Sequence, residues 1–245
     1  MLSCRRNGAT NALSAIHVFL PISMTVRAQS LSVLPVNIFL APGQSASTLT
    51  ITNQGNTKTA VQIRAFAWDQ QGDSDQLEAT EAVLVSPPIA PIEPGASQVV
   101  RLILRKPPQG REATYRILVD QIPPPAEPGV VHVVLRLSIP IFAEPATRAV
   151  PQVQFHVVRD GGQMVLVANN DGLRHQVIRD IELSTSDGHK LKAVPGVSPY
   201  ILAGATRHWN IAVEGPLPLP SETLQLTGHS DAGAIEEQVR VISTP

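Results

Sequence analysis

Apolar residues in this chain recur at every second position in short runs, and prolines and glycines end each run before it grows long. Leu49 and Ile51 alternate with Thr48, Thr50 and Thr52, and Val61, Ile63 and Ala65 alternate with Gln62 and Arg64. A period of two places successive side chains on opposite faces of an extended backbone, the pattern of a half-buried strand; a helix repeats every 3.6 residues. The 22 prolines are spread along the chain, which a helical protein would not tolerate and which strand edges and turns accept. Further runs cover residues 99–105 and 113–121, with turns at Gln54-Gly55-Asn56, Gln71-Gly72-Asp73 and Glu93-Pro94-Gly95. The expected fold class is all-β.

The alternation breaks around Ala143-Glu144-Pro145-Ala146-Thr147 and resumes at Val153-Gln154-Phe155-His156-Val157. A chain of 245 residues with 43% apolar content can fill two cores. We therefore expect two immunoglobulin-like β-sandwich domains over residues 29–145 and 146–245, joined by a short hinge in a boomerang arrangement. The second carries runs at residues 164–168, 177–183, 207–213, 224–227 and 238–242, about seven strands in all. Ahead of both, Arg5 and Arg6 precede an apolar stretch ending in Val26-Arg27-Ala28. That order is the pattern of a cleavable secretory signal over residues 1–28. Cys4, the one cysteine, falls inside it, so the mature chain is expected to hold no disulfide and no cysteine-based nucleophile or zinc site.

Charge and motifs exclude several functions. A formal net charge of -1 with 16% charged residues offers no field for nucleic acid. There is no nucleophile elbow, phosphate-binding loop or dinucleotide fingerprint, and the histidines at 132, 156, 175, 189, 208 and 229 show no short metal-ligand spacing. No enzymatic activity, metal, cofactor or small-molecule substrate is expected. The most informative run is residues 131–142. Its odd positions Val131, Val133, Leu135, Leu137 and Ile139 form one aliphatic face, whereas His132, Arg136, Ser138 and Pro140 interrupt the other. Such a face either fills its own sandwich or is offered to a partner.

Several landmarks in order resemble the PapD-like pilus chaperones. Leu40-Ala41-Pro42-Gly43-Gln44 leads to Leu49-Thr50-Ile51-Thr52-Asn53; Ser86-Pro87-Pro88 is followed by Ile92-Glu93-Pro94-Gly95 and Val100-Arg101-Leu102. Arg111-Glu112 precedes Tyr115, then come Gln121-Ile122-Pro123-Pro124 and, after the aliphatic run, Ile141-Phe142-Ala143-Glu144-Pro145, with Asn169 and Asn170 in the second half. The resemblance implies a periplasmic, non-enzymatic chaperone that binds pilus subunits by donor-strand complementation and delivers them to an outer-membrane usher without ATP. It assigns the donor positions to Val131, Val133, Leu135 and Leu137. Typical members anchor the subunit carboxylate with an Arg and a Lys; Asn37 and Pro140 stand at those positions, which suggests a divergent branch similar to the chaperones of spore-coat-U-type archaic pili. Arg136 is then the candidate anchor. Arg101, Glu112 and Asp231 align with the family's interdomain salt-bridge cluster. Self-association through the open edge is a further expectation for the free protein. The alternative reading is a secreted immunoglobulin-like adhesin or carbohydrate-binding module, for which 4% aromatic residues offer little.

Overall fold

The computed structural model describes residues 31–125, 133–194, 198–213 and 215–243, and every element in it is a strand. The first sandwich contains β1 (Leu31–Leu34), β2 (Ile38–Leu40), β3 (Ala46–Asn53), β4 (Thr59–Gln71), β5 (Ser74–Ala79), β6 (Val83–Ser86), β7 (Ile89–Ile92), β8 (Ser97–Leu104), β9 (Ala113–Ile122) and β10 (Arg136–Ala143). One sheet runs β1-β3-β8-β6 and the other β2-β10-β9-β4-β5, with β7 on the flank of β4 that β5 occupies further along. The alternating residues read from the sequence face one another between these sheets. Leu49 and Ile51 of β3, Val61 and Ile63 of β4, Val100 and Leu102 of β8 and Ile117 and Val119 of β9 are all buried. Burying each such side chain contributes about 1.5–3 kcal/mol.

The second sandwich contains β11 (Val153–Asp160), β12 (Gln163–Asn170), β13 (Gln176–Ser184), β14 (Lys190–Ala193), β15 (Tyr200–Ile201), β16 (Thr206–Ala212), β17 (Thr223–Ser230) and β18 (Gly233–Ser243). Its strand order is β14-β16-β12-β11-β18-β17-β13-β15, and β14 also bonds β13, so the sheet folds round and closes on itself. Closure removes the free edges that an open sheet would leave. Met164, Leu166, Leu183, Trp209, Leu224 and Val241 fill the interior.

Buried asparagines fix a turn in each domain. The Asn53 amide donates to the carbonyls of Thr57 and Ile92, and its Oδ1 accepts from Gly55 N–H. Asn170 does the same with Arg174, Ile201 and Gly172, and its Oδ1 also takes Gln152 N–H from the connector between β10 and β11. Gly172 lies so close to that connector that a Cβ would sit 2.3 Å from Gln152 N and 2.6 Å from Val150 O. Backbone bonds from Asp171 to Gln152 and from Leu173 to Val150 complete the junction.

Candidate functional site: an open strand edge and the interdomain cleft

The sequence suggests one strand over residues 131–142, but β10 begins only at Arg136. The reason lies in its neighbour. β9 ends at Ile122, and the last backbone bond between the two among the described residues runs from Gln121 N–H to Leu135 O. Val133 and Val134 extend past that end, exposed, with Val133 at 76% accessibility. Leu135 is half-buried. Val131 lies outside the described residues. Leu137 is half-buried too, but packs against the core of its own sandwich, and Ile139 is fully inside it. The aliphatic face therefore passes gradually from self-packing at Ile139 to open at Val133.

The edge itself is equally asymmetric. On one side β10 pairs with β9 from Arg136 to Ala143; on the other, among the described residues, its strand pairing is with β2 and covers Ile141, Phe142 and Ala143. Antiparallel partners alternate between residues that bond each other and residues that point away. Because Leu135 bonds Gln121, the backbone groups of Leu137 and Ile139 also turn to β9. Those of Arg136 and Ser138, and the carbonyl of Pro140, consequently face the unpaired side. Pro140 has no N–H to leave unpaired, as suits an edge position.

Arg136 is already engaged. Its Nε bonds Asp120 Oδ1, while Arg64 donates from Nη2 at 2.6 Å and from Nε at 3.2 Å to Asp120 Oδ2. Burial of Asp120 acts to raise its pKa, but the hydrogen bonds and charges of Arg136 and Arg64 outweigh it and hold the carboxyl below the usual carboxylate value. The sheet face that carries Arg64 and Asp120 continues, through Arg116, Trp68 and Phe142, onto the second domain. Trp68 and Phe142 come from the first sandwich yet belong to the core of the second. Phe142 stacks on His175 with centroids 3.6 Å apart, and Tyr200 meets Trp68 edge-on at 5.4 Å. Aromatic pairs of this kind add about 0.5–1.5 kcal/mol each beyond their area.

Asn37 and Pro140 sit where the open part of the edge meets this aromatic seam. Tyr200 Oη donates to Asn37 Oδ1 at 3.2 Å, and Pro140 is in register with Arg116 on β9. The Arg116 guanidinium lies 3.6 Å over the Trp68 ring and 5.5 Å from the Tyr200 centroid, with Asp75 at 3.8 Å. Burial pulls its pKa down and Asp75 opposes that; a guanidinium stays charged throughout.

The three residues aligned with an interdomain cluster are not brought together. Glu112 is buried at the junction, where its Oε2 accepts from His175 N–H at 2.9 Å and contacts His175 Nδ1 at 2.7 Å. Arg174 Nε lies 3.9 Å from Glu112 and 3.5 Å from Glu144. Arg101 instead points outward on β8, between Thr48 and Ser86 in the sheet facing away. Asp231, in the turn between β17 and β18, accepts from Val177 N–H at 3.4 Å. Placing the basic partners required knowing that the loop after Asn170 folds against β9. The adjacent Arg174-His175 pair was the available signal.

One β-sandwich of two open sheets, whose β10 edge is only partly covered by β2, and a second that closes on itself, joined at an aromatic seam, make a two-domain immunoglobulin-like architecture. Residues 30–149 match the family described as pili and flagellar-assembly chaperone, PapD N-terminal domain. Over that stretch, about half of its length, the chain is similar to the PapD-type pilus chaperones. It is 27% identical over 118 residues to chaperone protein FimB/FhaD of Bordetella pertussis and 31% identical over 108 residues to chaperone protein PapD of Escherichia coli. Those matches cover 45% and 42% of this chain and 47% and 44% of the relatives, so the similarity spans about half of their length. Among solved structures, the complex of CsuC with the tip adhesion subunit CsuE, from the archaic Csu pili of Acinetobacter baumannii, shares the fold with a TM-score of 0.63. Its identity is 22%, over 88% of this chain and 100% of that one. The E. coli chaperone DraB has a TM-score of 0.56 and 21% identity, over 88% of this chain and 97% of that one.

Proposed function

We propose that the protein is a periplasmic chaperone that captures pilus subunits by donor-strand complementation and passes them to an outer-membrane usher without ATP or any catalytic step. The observation that carries this reading is the edge from Arg136 to Pro140, without a strand partner among the described residues and continued by exposed Val133 and half-buried Leu135. An exposed edge with alternating aliphatic side chains is a template for β-augmentation: backbone groups extend the client's ladder while every second side chain enters its core. Val131, Val133 and Leu135 are the donor residues in this reading. Leu137 contributes partly, since its own sandwich already covers one side of it.

The same geometry guides the anchor. β2 occupies the edge from Ile141 onward, so a client strand must end beside Pro140, at the mouth of the cleft. Arg136 would have to release Asp120 to serve there. The better set is the Asn37 amide N–H, joined by the Tyr200 hydroxyl once it turns from Asn37 Oδ1, a neutral bond weaker than the Arg136–Asp120 ion pair, with Arg116 behind Tyr200 as the charge. Donors with a buried cation recognise a carboxylate, so the client's C-terminus is placed there and its strand runs parallel to β10. Leu135→Asp should leave the chaperone folded but unable to co-purify with a subunit, because the charge would enter an apolar groove. Normal co-purification of that variant removes the donor assignment. For the anchor, Tyr200→Phe should weaken capture and Arg136→Ala should not; the reverse order restores Arg136.

A further inference from the structure

The hairpin joining β4 to β5 reaches across the junction and attaches to two strands of the second domain by side chain to backbone bonds. Gln70, buried near the end of β4, donates from Nε2 to Tyr200 O at 3.1 Å and accepts Leu202 N–H on Oε1 at 3.0 Å. One amide side chain thus takes both roles that a neighbouring strand would take alongside β15. At the turn, Asp73 Oδ1 accepts His208 N–H and contacts His208 Nδ1, each at 2.9 Å, on β16. Buried Arg207 returns a bond from Nη1 to Asp73 O at 2.7 Å. Asp75, on β5, lies 3.8 Å from both Arg207 and Arg116 and also accepts from Gln70 Nε2.

We infer that the β4–β5 hairpin is an interdomain clamp, and that Gln70 and Asp73 are positioning residues that fix Tyr200, and through it the client's C-terminal carboxylate, relative to the open edge of β10. The physical reason is one of distance. The donor edge belongs to the first domain and Tyr200 to the second, so a strand can satisfy both only if the domains hold a constant separation. Phe142, Trp68 and His175 supply apolar adhesion, which is non-directional and tolerates sliding. The hairpin bonds are directional, and they hold the short β15 on both sides of Ile201. Loss of a geometric constraint of this kind weakens simultaneous engagement more than it weakens either contact.

The carboxylate half of the inference rests on the function proposed above, so the test has two separate arms. Asp73 is exposed at the side chain, and Asp73→Ala should fold normally; Asp73→Asn keeps the Oδ1 acceptor and serves as the conservative rescue. In the first arm, spin labels at Thr48→Cys and Gln238→Cys, both exposed, report the distance between domains in the free protein. The clamp requires one narrow distribution in the parent and in Asp73→Asn, broadened in Asp73→Ala and further in Gln70→Ala/Asp73→Ala. Unchanged widths in both variants overturn it. In the second arm, a synthetic peptide of alternating aliphatic residues is bound as its free acid and as its C-terminal amide. The acid should bind about tenfold tighter to the parent and to Asp73→Asn. This preference should fall to about twofold or less in Asp73→Ala. Broadened distances with an undiminished acid preference overturn the positioning role. No acid preference in the parent overturns the carboxylate reading itself and, with it, that role, while the distance arm still decides the clamp.

Discussion

Truncating the aliphatic face one residue at a time should convert a binding defect into a folding defect along a single strand. Val133 is 76% exposed and Ile139 is 4% exposed, with Leu135 and Leu137 between them. Leu135→Ala removes three carbons from a side chain that the client would bury. At about 0.8 kcal/mol per carbon this costs about 2.4 kcal/mol of complex stability, on the order of fiftyfold in Kd. Val133→Ala removes two carbons, about 1.6 kcal/mol and on the order of fifteenfold. Neither should change the urea midpoint of the free chaperone. Ile139→Ala should leave client affinity per folded molecule unchanged while lowering folding stability by about 2–5 kcal/mol, because it opens a cavity in the first sandwich. Leu137→Ala should show some of each defect. The assay pairs subunit competition binding with urea melts of each variant. A Val133→Ala protein with lowered stability and normal affinity would refute the reasoning, since it would mean that Val133 packs at home.

Other parts of the structure give separate expectations. Glu112→Ala should destabilise the protein by about 3 kcal/mol, seen as a lowered Tm, because the buried His175 N–H and ring lose their acceptor. Asp120 has a folded pKa held below its unfolded value of about 3.9. Its contribution is therefore present above that value and lost as pH falls through the lower folded pKa, so the stability gap between the parent and Asp120→Asn should shrink in urea melts as pH drops from 6 towards about 2–3. Gly172→Ala should cost about 1–3 kcal/mol or more by driving a Cβ into the connector backbone, whereas Gly162→Ala, with open space around it, should be nearly neutral by the same denaturation measurement.

How far the sequence reached follows from the range of the interactions involved. The two-residue alternation marks β3, β8 and the first half of β4 because their buried residues fall on one face, so the pattern is a local record of burial; β9 is buried on both faces across Ile117, Leu118 and Val119. Leu49, Ile51, Val61 and Ile63 were legible as core for that reason. The aliphatic run containing Val133 and Leu135 was legible as a face, but not its point of departure from β9, which depends on where another strand stops. The closure of the second sheet through β14 was not legible either, since four residues carry it. The separation of Arg101 and Asp231 from Glu112 has the same origin. A charged residue on an alternating strand has no local sign of whether it faces a domain junction or water, and Arg101 faces outward. Gln70, Asp73 and Arg207 escaped notice because polar residues near a turn ordinarily read as solvated. Their bonds join residues more than a hundred positions apart.

Amide hydrogen exchange on β10 is the most direct test of the idea that a client completes this edge. Arg136 and Ser138 direct their N–H groups to the unpaired side, whereas Leu137 and Ile139 are bonded to β9. In the free monomer the first two amides should exchange fast and the second two slowly; bound to a subunit, all four should be protected. Arg136 and Ser138 amides that remain fast in a saturated complex would contradict the account.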